Sequence, residues 1–444
     1  MQQQLIGSRP RLLQAAIDAF GIPDLRAKLL FTFAMLVVFR FVAHVPVPGV
    51  DAEALSQLFE KNALFGMLNM FSGGTLENMS IAAMGVYPYI TASIIMQLMI
   101  PIIPRLEALQ REGESGRKKL NQITHWLTVP LAILQGYGLL VTFQSQYGII
   151  GGIGLGTDKL LYTAAVLLSM VAGTVFLIWI GQLITEKGIG NGISIIIFGG
   201  IIAALPGNIW QSQQTAGWTG LILLIILLVA ITFFIVFVTE AVRRIPVQYS
   251  RSMFRGGRMY KQAGGTHIPL KVNSAGMIPL IFAFAILVLP STIATYFMNA
   301  EGQPGNFANT IYDWFSPAGW IYWGLLFILV IGFTFFYTVV VFQQQNLSET
   351  LQRQGGFIPG IRPGKPTAEY LNNVMMRITW GGALFLATVA VCPIITRAFF
   401  DVQNQTTLML ISSAGILITV GVVLDTLRQI EAQLMMRQYE GFIK

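Results

Sequence analysis

The chain has 444 residues, of which 54% are hydrophobic and only 11% are charged, with a formal net charge of +8. A soluble domain carries about 25% charged residues, so this composition excludes an ordinary water-soluble protein and indicates that lipid is the solvent. The single cysteine, Cys392, excludes an intramolecular disulfide, and three widely spaced histidines leave little material for zinc, so we expect no metal site and no cofactor.

The chain begins with polar residues and reaches its first apolar run only after Arg26 and Lys28, so we expect no cleavable signal peptide. Stretches of about 20 apolar residues, enough to cross the hydrocarbon as a helix, then follow one another. In chain order, the predicted spans are residues 25–44, 80–103, 120–143, 159–184, 191–205, 218–240, 275–297, 320–342, 378–396 and 407–427. The predicted fold is all-α, a polytopic membrane protein with ten transmembrane helices.

The fifth stretch, residues 191–205, is short. At about 1.5 Å per residue it reaches only about 22 Å, against a hydrocarbon core of about 30 Å. Counting it as a span places 24 of the 28 Lys and Arg residues on one face; those on the other face are Arg40, Lys61, Lys159 and Arg397. Because basic residues collect on the cytoplasmic side, both termini are predicted to be cytoplasmic.

Three connections are longer than usual. Two of them, residues 241–272 and 343–376, are predicted to be cytoplasmic and rich in basic residues. The third is external and contains an apolar stretch, residues 64–76, which as a helix would be only about 20 Å long. We expect this stretch to form a half-helix that folds back into the protein.

Charged residues within spans would be typical of a pump or an ion-coupled transporter, but few occur here. Asp, Glu, Lys and Arg are absent from residues 78–104, 160–185, 272–300, 314–348 and 402–424. Coupling to protons or sodium is therefore not expected. The sequence also lacks HExxH, GxSxG and an intramembrane Asp pair, which disfavours an intramembrane protease or other enzyme. A secondary transporter of small solutes remains the alternative to a passive channel.

The glycine motif at residues 188–192 (GIGNG) resembles a phosphate-binding loop only superficially. It lacks the GK[ST] ending and enters a membrane helix rather than leaving a strand. We interpret it as a tight turn in which Asn191 caps the short fifth span.

Seven motifs together resemble the bacterial SecY family. They are residues 69–74 (NMFSGG), 87–95 (YPYITASII), 112–117 (EGESGR), 185–197 (TEKGIGNGISIII), 243–249 (RRIPVQY), 359–364 (PGIRPG) and 438–440 (QYE). They occur in the family's order over essentially the whole chain. Several lie in loops, where apolar composition alone could not generate them.

The resemblance implies the central subunit of a protein-conducting channel, with two inverted five-span halves around an hourglass pore. Such a channel passes unfolded secretory polypeptides and releases signal sequences and nascent spans sideways into lipid. The implied organisation is a cytoplasmic segment 1–24, an N-terminal half 25–206, an external hinge loop 207–217, a C-terminal half 218–430 and a cytoplasmic tail 431–444. The implied location is the bacterial plasma membrane.

The resemblance also implies roles for individual residues along the pathway. The pore ring is carried over to Val86, Ile90, Ile193, Ile197, Ile281 and Ile418. Apolar rings of this kind exclude water and ions by dewetting. The plug that closes the external funnel is carried over to the half-helix 64–76, with Leu64, Phe65, Met67, Leu68, Met70, Phe71, Gly73 and Gly74. By the same resemblance, Thr91 and Leu289 face each other across a lateral gate between the second and seventh spans.

The two long basic loops resemble docking arms for the ribosome and for the SecA motor ATPase. The implied docking residues are Arg243, Arg244, Arg251, Arg255, Arg258, Lys261 and Arg362. A basic cluster suits ribosomal RNA, which is a polyanion. Topology alone also explains most of these charges, because basic loops orient membrane proteins whether or not they bind a partner. The further implied partners are the small subunits SecE and SecG, signal peptides, translocating polypeptides and membrane lipids.

Overall fold

The computed structural model describes residues 20–51, 54–55, 65, 68–69, 72–145, 148–154, 156–249, 251–255, 258–262, 265–297, 306–317, 319–345, 347–400 and 413–440. The architecture is mostly helical. The helices are α1 (Pro23–Val42), α2 (Tyr87–Met99), α3 (Pro104–Arg111), α4 (Glu114–Ser145), α5 (Thr157–Lys187), α6 (Gly192–Glu240), α7 (Ile278–Phe297), α8 (Phe307–Phe315), α9 (Trp320–Gln345), α10 (Leu347–Arg353), α11 (Lys365–Phe400) and α12 (Ser413–Glu440). The strands are β1 (Val242–Tyr249), β2 (Arg251–Arg255), β3 (Arg258–Gln262), β4 (Gly265–Lys271) and β5 (Gly356–Phe357).

Within the described residues, five helices are long and apolar enough to cross a membrane. They are Glu114–Gln144, Lys159–Lys187, Gly217–Glu240, Trp320–Arg353 and Lys365–Ile394. The bent pair α2 and α3, with an angle of 97° between them, raises the number to six if the pair is one span. Two further apolar helices, Gly192–Gly207 and Ile278–Ala294, are shorter. A helix covers at least part of each predicted span.

Several element boundaries in the structure differ from the sequence-based ones. Residues 207–217 were predicted to be an external loop, but α6 continues through them and breaks only at Gly217, where φ is 66° and ψ is −175°. The polar residues in this segment end the apolar run but not the helix, because the backbone hydrogen bonds of a helix form in water as well as in lipid. The second span was predicted to begin at residue 80, yet residues 81–86 form turns and α2 begins at Tyr87.

The two long loops fold against each other. We call residues 241–272 arm 1 and residues 343–376 arm 2. In arm 1, β1 pairs antiparallel with β4 from Val242 to Gln248, and β2 pairs with β3. Arm 2 contributes α10, β5 and the start of α11, and β5 pairs with β1. An apolar cluster joins the arms, with Ile245, Val247, Leu270, Leu351, Ile358, Leu371, Val374 and Met375. The arms therefore form one small structural unit beside the helices.

The main hydrophobic core runs through both predicted halves. It includes residues of α1, α2, α4, α5, α6, α7, α9, α11 and α12. Among the described residues, the buried polar side chains are Ser, Thr and Asn only, and none is Asp, Glu, Lys, Arg or His. Most of the buried threonines donate their hydroxyl to a carbonyl one turn back, as Thr124 and Thr128 do. Most of the buried threonine hydroxyls are thus satisfied within their own helix, and no buried charge is needed among the described residues.

Candidate translocation pore

The predicted plug lies only partly within the described residues. Phe65 and Leu68 are buried and helical, and Phe65 packs against Phe143 of α4 with ring centroids 5.4 Å apart. Leu64, Met67, Met70 and Phe71 lie outside the described residues. The helical assignment ends at Ser72 rather than at residue 76, because two glycines with positive φ follow directly.

Hydrogen bonds hold the segment that follows the plug half-helix, residues 72–76, which we call the plug stem. The Ser72 hydroxyl donates to the Asn69 carbonyl at 2.9 Å and accepts the Leu76 amide at 3.2 Å. The Thr75 hydroxyl donates to the Ser72 carbonyl at 3.0 Å. The Gly74 amide donates to the Asn69 carbonyl at 2.8 Å. Backbone N–H and C=O groups at the end of the half-helix, which no longer bond within it, are therefore hydrogen-bonded inside the protein. An apolar environment requires such pairing.

Gly73 and Gly74 have φ of 77° and 78°, a region that favours glycine. A Cβ on Gly73 would lie 2.9 Å from the ring of Phe39 on α1. A Cβ on Gly200 of α6 would collide with the Gly73 backbone. The stem is thus packed backbone to backbone against α6 and against a buried aromatic ring of α1.

The six predicted ring residues lie in the same apolar core. Val86, Ile90, Ile197 and Ile418 are buried, whereas Ile193 and Ile281 are half-buried and pack against that core. Val86 precedes α2 as its N-cap residue, and the Ile90 amide donates to the Val86 carbonyl at 3.1 Å. The ring positions come from α2, α6, α7 and α12, so residues of both predicted halves meet here. Their role in the pore stays a prediction.

Of the two predicted gate residues, Leu289 lines a small cavity between α2, α4 and α7, and Thr91 is hydrogen-bonded to two residues that line it. The Thr91 hydroxyl is buried and donates to the Tyr87 carbonyl at 2.9 Å. Leu289 is half-buried and lines a cavity of about 50 Å³ together with Tyr87 and Gln135. Leu68, Ser72 and Leu76 of the plug segment line the same cavity. The structure therefore brings the plug segment next to Leu289 of the predicted lateral gate. We call this gate the seam.

Gln135 of α4 is a seam residue that the sequence interpretation missed. Its Nε2 donates to the Thr91 hydroxyl oxygen at 3.3 Å, and its Oε1 is buried with no partner among the described residues. An unpaired buried carbonyl is unfavourable by about 1 to 3 kcal/mol, so this atom is ready to accept a donor. The available sequence signal was a glutamine inside an otherwise apolar stretch, which does not reveal its neighbours.

The predicted docking residues are distributed over both arms. Arg243 and Arg244 are exposed on β1, and Arg362 is exposed in the turn between Gly360 and Gly364. The Arg362 carbonyl accepts the Thr367 hydroxyl at 2.8 Å, which ties this turn to the start of α11. Arg251, Arg255, Arg258 and Lys261 lie on β2 and β3, and their side chains are outside the described part of the structure.

A charged group joins the base of arm 1 to α12. Arg428 pairs with Glu240 at 2.6 Å and with Asp425 at 3.6 Å. Burial lowers the pKa of the Lys271 ammonium, and the positive charge of Arg428 lowers it further, while Asp425 and Glu240 act in the opposite direction. Lys271 therefore lies beside one positive and two negative side chains.

Sequence comparison identifies the family. The family model of SecY matches residues 80–427, which is most of the chain. The chain belongs to the SecY family. The protein translocase subunit SecY of Streptomyces lividans is 42% identical to it over 445 residues, covering 98% of this chain and 100% of that protein. The SecY of Escherichia coli (strain K12) is 41% identical over 431 residues, covering 96% and 95%.

Solved structures of protein-conducting channels share the fold. The structure described as "The plug domain of the SecY protein stablizes the closed state of the translocation channel and maintains a membrane seal" matches with a TM-score of 0.65 and 18% identity, covering 94% of this chain and 96% of that one. "Sec61 in the Canine ribosome-channel complex from the endoplasmic reticulum" matches with a TM-score of 0.63 and 17% identity over the same shares. Membership of the SecY family confirms the predicted family, the helical fold class, the multi-pass membrane character and the channel class rather than an enzyme.

Proposed function

We propose that this chain forms the polypeptide pathway of a bacterial Sec translocon. The observation that carries the proposal is the convergence of the plug stem and the six ring positions on one apolar core. A wall of aliphatic side chains offers no hydrogen-bonding group to any particular sequence. Such a wall can admit many different unfolded chains and exclude water when it closes.

The channel is passive in this proposal. The buried polar residues among those described are Ser, Thr and Asn, so no buried carboxylate is available to couple transport to protons or sodium. A secondary transporter would need a polar or charged site at the membrane midplane, and the same observation argues against it. The driving force therefore comes from a partner, either the SecA motor or the ribosome.

The arms are the proposed docking surface for these partners. Arg243, Arg244 and Arg362 are exposed on a unit in which β5 of arm 2 pairs with β1 of arm 1. The likeness to a Sec61 structure in a ribosome-channel complex supports a ribosome partner. Both termini then lie in the cytoplasm and the helices cross the plasma membrane. SecE and SecG complete the channel, and signal peptides and nascent spans leave into membrane lipid through the seam of Thr91 and Leu289.

A crosslinking experiment tests the pore. Cys392 is replaced, a single cysteine is placed at Ile418, and a secretory chain is trapped halfway through reconstituted vesicles. We expect the Ile418 cysteine to crosslink to the trapped chain. A matched control cysteine at Val423, more exposed on the same helix, should react with lipid-soluble reagents instead. Crosslinks to the trapped chain from Val423 but not from Ile418 would refute the pore assignment.

A further inference from the structure

A groove of about 570 Å³ lies between the predicted external end of α7 and the short helix α8. Its volume falls in the range of small-ligand sites, about 300 to 1,000 Å³. Residues four positions apart lie on one face of a helix, so each of the two helices presents a row of side chains to the groove. The main lining side chains are Leu289, Ile293 and Phe297 of α7, and Phe307, Ala308 and Ile311 of α8.

The polar lining residue of this groove, Asn306, is already hydrogen-bonded. Its Oδ1 accepts the Asn309 amide at 3.1 Å, and its Nδ2 donates to the Phe297 carbonyl at 2.6 Å. The other lining residues are Leu, Ile, Phe, Ala and Pro. An ordered water needs about two to four polar partners, which these walls do not offer. The groove is therefore suited to an apolar occupant.

The rim of the groove is apolar as well. Ile293, Phe297 and Phe307 are 48%, 67% and 80% exposed. A docking site for a protein partner usually has a polar rim in contact with water. Exposed apolar side chains on a membrane helix instead belong to the surface that lipid covers. The groove is thus continuous with the lipid-facing surface of the protein.

Exposed tryptophans indicate the depth of the groove in the membrane. Trp314 near the end of α8 and Trp320 at the start of α9 are both exposed. Tryptophan is enriched where the membrane meets water. Tyr312 and Phe315 of α8 pack against the main core, whereas Asp313 is exposed. In the proposed orientation α8 therefore lies at the level of the external headgroups, and the groove opens towards the acyl chains of that leaflet.

We propose that the groove between α7 and α8 binds an acyl chain of a phospholipid from the external leaflet. The walls and the rim offer apolar surface to such a chain, and the burial of each methylene group is favourable. The glycerol and headgroup of the same lipid remain at the level of α8. This inference goes beyond the proposed channel function and needs only the proposed orientation in the membrane.

A signal peptide is the rival occupant, because Leu289 lines both this groove and the cavity beside the plug segment. A helix with its side chains is about 10 Å wide, so 570 Å³ encloses only about 7 Å of its length, or about five residues. The apolar region of a signal peptide has about 7 to 15 residues. The groove is too small for that helix, whereas a flexible acyl chain can follow its walls.

A photoreactive phospholipid tests the site. The full-length channel is reconstituted, without a secretory substrate, into phosphatidylethanolamine and phosphatidylglycerol vesicles that contain a phosphatidylethanolamine with a diazirine on one acyl chain. It is then extracted into detergent, washed free of loosely held lipid and illuminated, and the labelled residues are located by mass spectrometry. We expect label on the groove residues of α7 and α8 and none on Ile328, an exposed residue of α9. Equal label at Ile328 and in the groove, or no label at either, would refute a bound chain.

Two phenylalanine substitutions on α8 provide a matched pair. Ala308→Phe places a ring in the groove, whereas Thr310→Phe adds the same ring at an exposed position outside it. We expect Ala308→Phe to lose the label and Thr310→Phe to keep it. Ile311→Asn, which places a polar amide in the groove, should lose the label as well. Label that persists in both groove variants, or that is lost equally in Thr310→Phe, would overturn the site.

A trapped secretory chain separates this inference from the proposed function. Lipid label in the groove of the idle channel supports the site whether or not a cysteine at Ile418 crosslinks to a trapped chain. Groove residues that crosslink to a signal peptide and never to the photoreactive lipid would refute the bound acyl chain. That result would leave the pore assignment intact.

Discussion

Replacement of Gly200 by alanine should loosen the plug. Gly200 is buried on α6, and a Cβ at this position would approach the Cα, carbonyl carbon and carbonyl oxygen of Gly73 to well under 3.0 Å, a separation that real Cβ atoms do not show. The obstructing atoms are backbone, which cannot turn aside as a side chain can. The plug stem or α6 must therefore move by on the order of 1 Å to restore an ordinary carbon contact of about 3.5 to 4.0 Å.

Overpacking of this kind is unfavourable by about 1 to 3 kcal/mol. If the closed position of the plug carries that whole penalty, the ratio of displaced to seated plug rises by roughly 5- to 150-fold. Gly207 on the same helix is the matched control, since a Cβ there meets no atom within 4 Å. Alanine at position 207 should leave the plug unaffected and should favour the helix slightly, by about 0.5 to 1 kcal/mol.

The assay is ion flux through idle channels reconstituted into vesicles without a secretory substrate. We expect Gly200→Ala channels to leak ions while their export of a secretory protein continues, because in the proposed channel export displaces the plug in any case. Gly207→Ala channels should be as tight as the parent. Leak that is unchanged in Gly200→Ala, or equally raised in both variants, would refute the reasoning.

Three further predictions concern single residues. Burial and the charge of Arg428 lower the pKa of Lys271 below its usual 10.5, so the unfolded chain binds this proton more tightly than the folded protein does. The free energy of unfolding should therefore rise as the pH is raised from the lowered pKa to 10.5. Lys271→Gln should flatten that rise in thermal unfolding measured at several pH values, and an unchanged slope would contradict it. Tyr162→Phe removes a hydroxyl that donates to the Pro48 carbonyl at 2.8 Å, so it should lower the free energy of unfolding by about 1 kcal/mol, and a calorimetric midpoint equal to the parent's would rule this out. Arg362→Glu should impair export driven by the SecA motor while the channel still assembles in the membrane, and normal export would remove the proposed docking role.

Most helix positions could be predicted from the sequence, because a helix in lipid needs a continuous apolar run and each of its backbone bonds is local. The cap of the fifth span could be predicted for the same reason. The Asn191 side chain accepts the Ser194 amide at 3.2 Å, which confirms the predicted N-cap. A cap depends only on residues three positions apart.

Helix ends were harder, because hydropathy reports depth in the membrane rather than hydrogen bonding. For this reason hydropathy predicted a loop at residues 207–217, where the structure is helical. It also predicted that the ninth span begins at residue 378, whereas α11 begins at Lys365. The thirteen residues before the predicted span remain helical outside the apolar stretch, where they pack against arm 1 through Leu371 and Met375. Residues 81–86 show the converse, since an apolar stretch there forms turns.

The sequence by itself determined the class of this protein. Its apolar runs, basic loops and motifs established a multi-pass SecY-family chain, because lipid and topology act on residues close together in the chain. Only the tertiary structure decided which distant residues meet. It joined the two arms through β5 and β1, set Gly73 against Gly200, and brought Gly190 to Gln429. A glutamine or a glycine has no periodic signal, so its partner becomes visible only when the helices are packed.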